Sequence, residues 1–262
     1  AVFLAGAPAQ AMNQPPHLDE AGAAAYRQYQ AAASHRAFAI APGGRYGWSA
    51  DAGSPDLASA QALAYCQEGE AQRCVPYSVD GRTVFDARAW PGLWAPYLGA
   101  RDAARAPVGL QRGMRFPDLA LLDARQRSLR LSDLRGRVTV LHFWGSWCGA
   151  CRTEMPDMQA AARKLGRSVQ FVLVPVREPL DRARAWLRSQ GIDLPLYDGA
   201  GDAGEFRLAS GARLRDRDLA KAFPTTYILD RHGIVLFSRT GPLPHWLEYV
   251  VLLQHASRSS PD

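Results

Sequence analysis

The sequence predicts an α/β protein: a mixed central sheet flanked by helices, preceded by a small N-terminal α+β domain. Three observations carry this. Val138-Thr139-Val140-Leu141-His142-Phe143-Trp144 is a near-continuous apolar run, the signature of a strand buried on both faces. From residue 113 onward, strand and helix signals alternate and then end in a hairpin and a terminal helix. Before residue 87 the pattern is one of short strands, glycine turns and alanine-rich helices, and 262 residues exceed one average domain.

In the first region, residues 17–34 are rich in Ala and Gln and predict a helix. Residues 37–41 predict a strand, turned by Pro42-Gly43-Gly44 into a partner at 46–49. Ser54, Pro55 and Asp56 form a helix start, with Leu57, Leu63 and Cys66 near helical spacing and Gly69 beyond the end. Residues 74–79 alternate, Asp80-Gly81 is a hairpin turn, and residues 82–85 return. The expected α+β domain therefore spans 12–86. Residues 87–112 carry three prolines and three glycines and are expected to be a linker, with Trp90, Leu93, Trp94 and Tyr97 packing part of it on a domain. The larger domain is expected at 113–257, with a tail at 258–262. Its strands are placed at 119–122, 129–131, 138–144, 169–176, 226–229 and 234–238. Helices are placed at 151–165, 180–190 and 244–255.

The net charge is +6, nearly all of it from arginine, since Lys164 and Lys221 are the only lysines. The arginines are scattered among Asp and Glu instead of being gathered on one segment, which argues against nucleic acid as a partner. Residues 1–7 are apolar and small, and Ala9-Gln10-Ala11 fits a signal-cleavage pattern, so 1–11 read as a signal-peptide remnant. Four cysteines form two close pairs. With that remnant they point to an oxidising, extracytoplasmic compartment, and Cys66 with Cys74 is expected to be a structural disulfide. Their seven-residue spacing lacks the short step of a zinc knuckle, so no metal is expected, and no cofactor either.

Cys148-Gly149-Ala150-Cys151 lies at the turn from the buried strand into a helix. Unpaired N–H groups at a helix start stabilise a thiolate there, so Cys148 is the candidate nucleophile, and Cys151, one turn inside, the resolving thiol. At pH 7 an ordinary thiol with a pKa of about 8.5 is ~3% thiolate, whereas a pKa near 7 gives ~50%.

The segment Phe143-Trp144-Gly145-Ser146-Trp147-Cys148-Gly149-Ala150-Cys151-Arg152-Thr153-Glu154-Met155-Pro156 resembles the active-site stretch of the TlpA/ResA branch of thioredoxin-like proteins. The resemblance extends over residues 113–257 and implies a thioredoxin-like fold and thiol–disulfide oxidoreductase activity, most often reductive, outside the cytoplasm. It further implies protein thiol or disulfide substrates, a membrane thiol transporter as electron donor, and pathways such as cytochrome c maturation. By that resemblance Glu154 is a proton acceptor near the cysteines, Pro156 kinks the helix, and Pro224 in Phe223-Pro224-Thr225-Thr226 is a cis proline facing the disulfide. Trp147, Gly149, Ala150, Phe223 and Thr225 are then expected to meet substrate.

Two features depart from the branch. His142 stands where the branch often has Asn, and an imidazole there can exchange protons with Cys151 or be a hydrogen-bonded core residue. Residues 199–218 lengthen the approach to the cis-proline loop, either shaping substrate choice or forming a solvated loop. Two other functions compete with reduction: a disulfide-introducing oxidase, and a non-catalytic thioredoxin-fold scaffold. Gly149-Ala150 lacks the histidine that stabilises the thiolate in strong oxidants, which favours the reductant.

Overall fold

The structure, a computed structural model, describes residues 14–69, 72–94, 97–199 and 204–259. The expected signal remnant at 1–11 lies outside them. The chain divides into two compact units, Ala1–Ala87 and Arg88–Asp262.

The first unit begins with α1 (Glu20–Ala31), capped by Asp19, whose carboxylate accepts from Gly22 N–H at 2.9 Å. β1 (Ala37–Ile40) and β2 (Tyr46–Ser49) follow, then α2 (Pro55–Gln67), capped by Ser54, and β3 (Val75–Val79) with β4 (Arg82–Thr83). The sheet is antiparallel in the order β2-β1-β3-β4. Its interface with α2 is made of small side chains, Ala37, Ala39, Ala58, Ala62 and Cys66. They let the helix lie so close that a Cβ at Gly47 would stand 2.3 Å from the Cys66 nitrogen. On this face the small side chains each gain little from burial, and the bonded pair Cys66–Cys74 ties the end of α2 to the start of β3. The larger rings Tyr26, Tyr29, Phe38 and Tyr77 pack together elsewhere in the unit. A closure of eight residues is worth roughly 2–3 kcal/mol in the loop-entropy account.

The second unit does not begin at residue 113. The expected linker contains regular structure among its described residues: a 3-10 turn at Trp90–Trp94, and then α3 (Ala100–Arg105). Trp94 is completely buried, 5.0 Å from the Phe237 ring, and Trp90 is buried too. Prolines and glycines gave this stretch the composition of a linker, but its tryptophans carry enough apolar area to hold it in place.

β5 (Ala120–Leu122) pairs with β6 (Ser128–Arg130) ahead of the main sheet. Then come β7 (Val138–Trp144), α4 (Gly149–Leu165), β8 (Val169–Pro175) and α5 (Leu180–Ser189). β9 (Glu205–Arg207), β10 (Arg213–Arg215) and the short α6 (Asp216–Leu219) precede β11 (Thr225–Leu229), β12 (Val235–Thr240) and α7 (Val250–Ser259). α7 thus absorbs the start of the expected tail. The four-stranded sheet runs β12-β11-β7-β8, parallel between β7 and β8 and antiparallel elsewhere. All seven residues of β7 are buried, as the apolar run demands. A parallel pair joined by α4, then an antiparallel hairpin and a closing helix, is the thioredoxin-like arrangement. It brings the end of β7, the start of α4 and the start of β11 to one edge. No helix among the described residues is long and apolar enough to cross a membrane.

Candidate active site

The chain leaves buried β7 at Trp144 and turns through Gly145-Ser146-Trp147 into α4. Cys148 is the N-cap residue of that helix, and its sulfur accepts from the Cys151 N–H at 3.2 Å. Cys148 and Cys151 are bonded to one another. Cys148 is 7% exposed and Cys151 fully buried, so an incoming group meets Cys148 first. That asymmetry suits an attacking thiol outside and a resolving thiol inside.

The Phe223–Pro224 peptide is cis, and the Phe223 carbonyl oxygen lies 3.6 Å from Cys148 Sγ. Trp147, 43% exposed, sets its ring edge-on to Phe223 at 5.8 Å and donates its indole N–H to the Val176 carbonyl at 3.0 Å. Gly149 and Ala150 are exposed beside the sulfur. The structure therefore gathers Cys148, Trp147, Gly149, Ala150 and Phe223 around one accessible point. Thr225, expected to meet substrate, does not belong there. It is 2% exposed, its hydroxyl donates to the Ala222 carbonyl at 2.6 Å, and its backbone is taken by the sheet.

Several residues that motif reading missed hold this edge in shape. Glu178 accepts from Ser146 N–H at 2.6 Å and from the Ser146 hydroxyl at 2.5 Å, clamping the turn before Cys148. Arg177 sits at φ +55°, a backbone region costly for a residue with a Cβ, and lays its guanidinium 5.4 Å over the Phe223 ring. Its other partner is Asp216, which is 4% exposed. Asp216 opens α6, and over residues 204–218 the lengthened segment is not a solvated loop: β9 and β10 form a hairpin with Phe206 in the core, and its end reaches the active-site edge. No spacing rule links 146 to 178 or 177 to 216. Only an acidic residue placed just after a buried strand hinted at the clamp.

Beneath the disulfide lies a second layer. Glu154 is 5% exposed, and its Oε2 accepts from Leu243 N–H at 2.9 Å and from the Trp246 indole at 3.2 Å. Burial raises its pKa to about 7, opposed by those two donors and by Arg239. His142 is wholly buried and burial lowers its pKa to about 3, so the ring is neutral. Its Nδ1 is 2.9 Å from Thr226 Oγ1, and its Nε2 is 3.5 Å from Glu154 Oε1. Among the described residues, His142 thus faces Glu154 and Thr226 with its two ring nitrogens. Trp144 is core, packed on Trp186.

The Glu154 shift has a stability consequence of definite sign. Its folded pKa of about 7 exceeds the ordinary 4.5, so the unfolded chain gives up its proton first as pH rises. Stability present below pH 4.5 is lost progressively up to about pH 7, by roughly 3 kcal/mol. Glu154→Gln should not show that decline. His142 acts oppositely, costing stability as pH falls from 6.5 toward 3, but it does so in both proteins and drops out of their difference. Urea unfolding of both proteins between pH 4.5 and 8 checks this: their difference should turn against the wild type with a midpoint below 7.

Residues 111–249, just over half of the chain, match the Redoxin family. The thioredoxin-like protein YneN of Bacillus subtilis is 28% identical over 144 residues, covering 53% of this chain and 78% of YneN. The thiol-disulfide oxidoreductase ResA of Geobacillus thermodenitrificans is 30% identical over 134 residues, covering 50% of this chain and 70% of ResA. Among solved structures, a secreted thiol-disulfide isomerase from Corynebacterium glutamicum is 21% identical, over 57% of this chain and 88% of that one, with a TM-score of 0.45. With a bonded Cys148–Cys151 pair at the head of α4 and a cis proline opposite, the chain belongs to the redoxin family and is a thioredoxin-like thiol–disulfide oxidoreductase of the TlpA/ResA type.

Proposed function

We propose that the protein is an extracytoplasmic protein disulfide reductase. The observation that carries the reading is the placement of Cys148: a helix N-cap, slightly open to solvent, beside the Phe223 carbonyl of the cis-proline loop. Reduced, Cys148 as thiolate attacks one sulfur of a client disulfide, and the other client sulfur leaves as a thiolate that takes a proton from water. Cys151 gives its proton to Glu154 and attacks Cys148 Sγ. The second client sulfur is expelled, and the Cys148–Cys151 disulfide remains. Two electrons pass to the client, and a dithiol donor, a membrane thiol transporter in this reading, restores the pair.

The Phe223 backbone supports an extended client strand laid beside Cys148, between Trp147 and Arg177. Gly149-Ala150 supports the reducing direction, because no histidine between the cysteines stabilises the reduced form. The buried Cys66–Cys74 bond supports an oxidising compartment, where such a crosslink persists. Thiol pathways of that compartment, cytochrome c maturation among them, are the natural setting. The test is alkylation of cells at steady state followed by mass measurement. Cys148 and Cys151 should be mostly reduced while Cys66 and Cys74 stay bonded. A mostly oxidised pair would make the protein an oxidase instead.

A further inference from the structure

Two buried polar atoms under α4 face each other without an ordinary hydrogen bond: His142 Nε2 and Glu154 Oε1, 3.5 Å apart. Leaving either unpaired costs about 1–3 kcal/mol, so an arrangement that could satisfy both is a significant one. The remaining atoms of both groups are fixed. Nδ1 is held on Thr226 Oγ1, and Oε2 accepts from Leu243 and Trp246. A threonine hydroxyl donates or accepts equally well, and that frees the ring to use either neutral tautomer. With Glu154 protonated, its O–H donates to a bare Nε2, while Nδ1–H donates to Thr226. With Glu154 ionised, Nε2–H donates to the carboxylate, and Nδ1 accepts from the Thr226 O–H. The pair holds two protons in the first state and one in the second, and the imidazole is uncharged in both.

We propose that His142 is a positioning residue that lets Glu154 take up and release the Cys151 proton by changing tautomer, never charge. The proposal rests on the reading of Glu154 as the proton acceptor of Cys151. It gives the histidine of β7 a role the carboxylate alone cannot fill, because without the ring Glu154 Oε1 has no partner in either of its states. The groups around Glu154 leave this role to His142. Its own helix supplies Cys151 and Asp157, and Asp157 accepts from Trp246 N–H. Arg239 of β12 supplies a positive charge that favours the carboxylate while its Nε donates to the Pro242 carbonyl, and β11 supplies the neutral Thr226. The 3-10 turn before α7 carries His245 and Glu248, both exposed. α7 carries Arg258 and His255, whose ring is turned to Tyr97 and Ser259.

The test has two arms. In the first, ¹⁵N spectra of the His142 ring in the reduced wild type are followed from pH 5 to 9. The Nδ1 and Nε2 signals should exchange bare and protonated character through one titration near neutrality, with no imidazolium signal. A single tautomer throughout overturns the proposal. The second arm measures release of a peptide from a preformed Cys148 mixed disulfide against pH. A hydrogen bond to the charged carboxylate is worth more than one to its neutral form. His142→Leu should therefore move the midpoint upward by about one unit, a tenfold change in proton concentration, with the plateau rate kept within a few-fold. A folded His142→Leu with an unmoved midpoint overturns it. If His142→Leu does not fold, the spectra of the wild type decide. Glu154→Gln separates the two claims. A wild-type midpoint that persists in Glu154→Gln removes Glu154 as the acceptor, whatever the ring does.

Discussion

Cys148→Ser should reduce turnover of a peptide disulfide to the uncatalysed rate, whereas Cys151→Ser should stall with client attached. A serine hydroxyl at the N-cap of α4 still caps the helix, so the fold survives, but it yields almost no anion at neutral pH and does not attack sulfur. Cys151 is fully buried and cannot be the first to meet a client, so it offers no bypass. In Cys151→Ser the first exchange proceeds, because Cys148 keeps its position at the helix start and its place by the Phe223 carbonyl. Nothing then expels the second client sulfur. Intact mass spectrometry should show the unmodified mass for Cys148→Ser and a stable one-to-one adduct for Cys151→Ser. An adduct on Cys148→Ser, or multiple turnover by Cys151→Ser, would reverse the roles given to the two thiols.

How much of this was written in the sequence depends on how far apart the cooperating residues lie. The strand–turn–helix around the cysteines is contiguous, and a seven-residue strand with five apolar residues, a cysteine N-cap and a helix-interior Pro156 are enough to place it. The Cys66–Cys74 staple needed only spacing and compartment. Glu154 and Pro224 were legible through resemblance, because their positions relative to Cys151 and to the last strands are those of the TlpA/ResA branch. Contacts between residues 12 to 92 apart were not legible. Glu178 on Ser146, Arg177 on Asp216, and His142 with Trp246 around Glu154 follow from how β7, β8 and β11 stack their ends, which no local period encodes. The segment 87–112 misled for a related reason. A 3-10 turn of five residues has no periodicity to detect; the tryptophans did signal that part of the stretch packs, and Trp94 does so against Phe237 and Tyr249, but not that it opens the second unit. Thr225 misled in the opposite direction: it is adjacent to the cis proline, but it opens a strand whose five residues are all buried, and its hydroxyl is taken by the Ala222 carbonyl.

The same long-range packing makes Trp246 the position where a single change should damage stability and chemistry together. Its ring is completely buried, 6.3 Å from Phe171 and 6.0 Å from Tyr249. Its backbone N–H is held by Asp157 and its indole N–H by Glu154. Trp246→Ala should cost about 3–5 kcal/mol through the lost burial and the cavity left behind. At roughly 2–4 °C per kcal/mol for a unit of this size, melting should fall by about 6–20 °C. Trp246→Phe isolates the second effect, since most of the ring remains while one donor to Glu154 disappears. A carboxylate that loses a donor is destabilised more than a carboxylic acid, so the Glu154 pKa should rise further above about 7. The Trp246→Phe deficit should then be larger at pH 8 than at pH 5, and client release should need more alkaline solution for the same rate. A deficit independent of pH would mean that Trp246 only fills space, and that the carboxylate beneath the cysteines is governed by His142 and Leu243 alone.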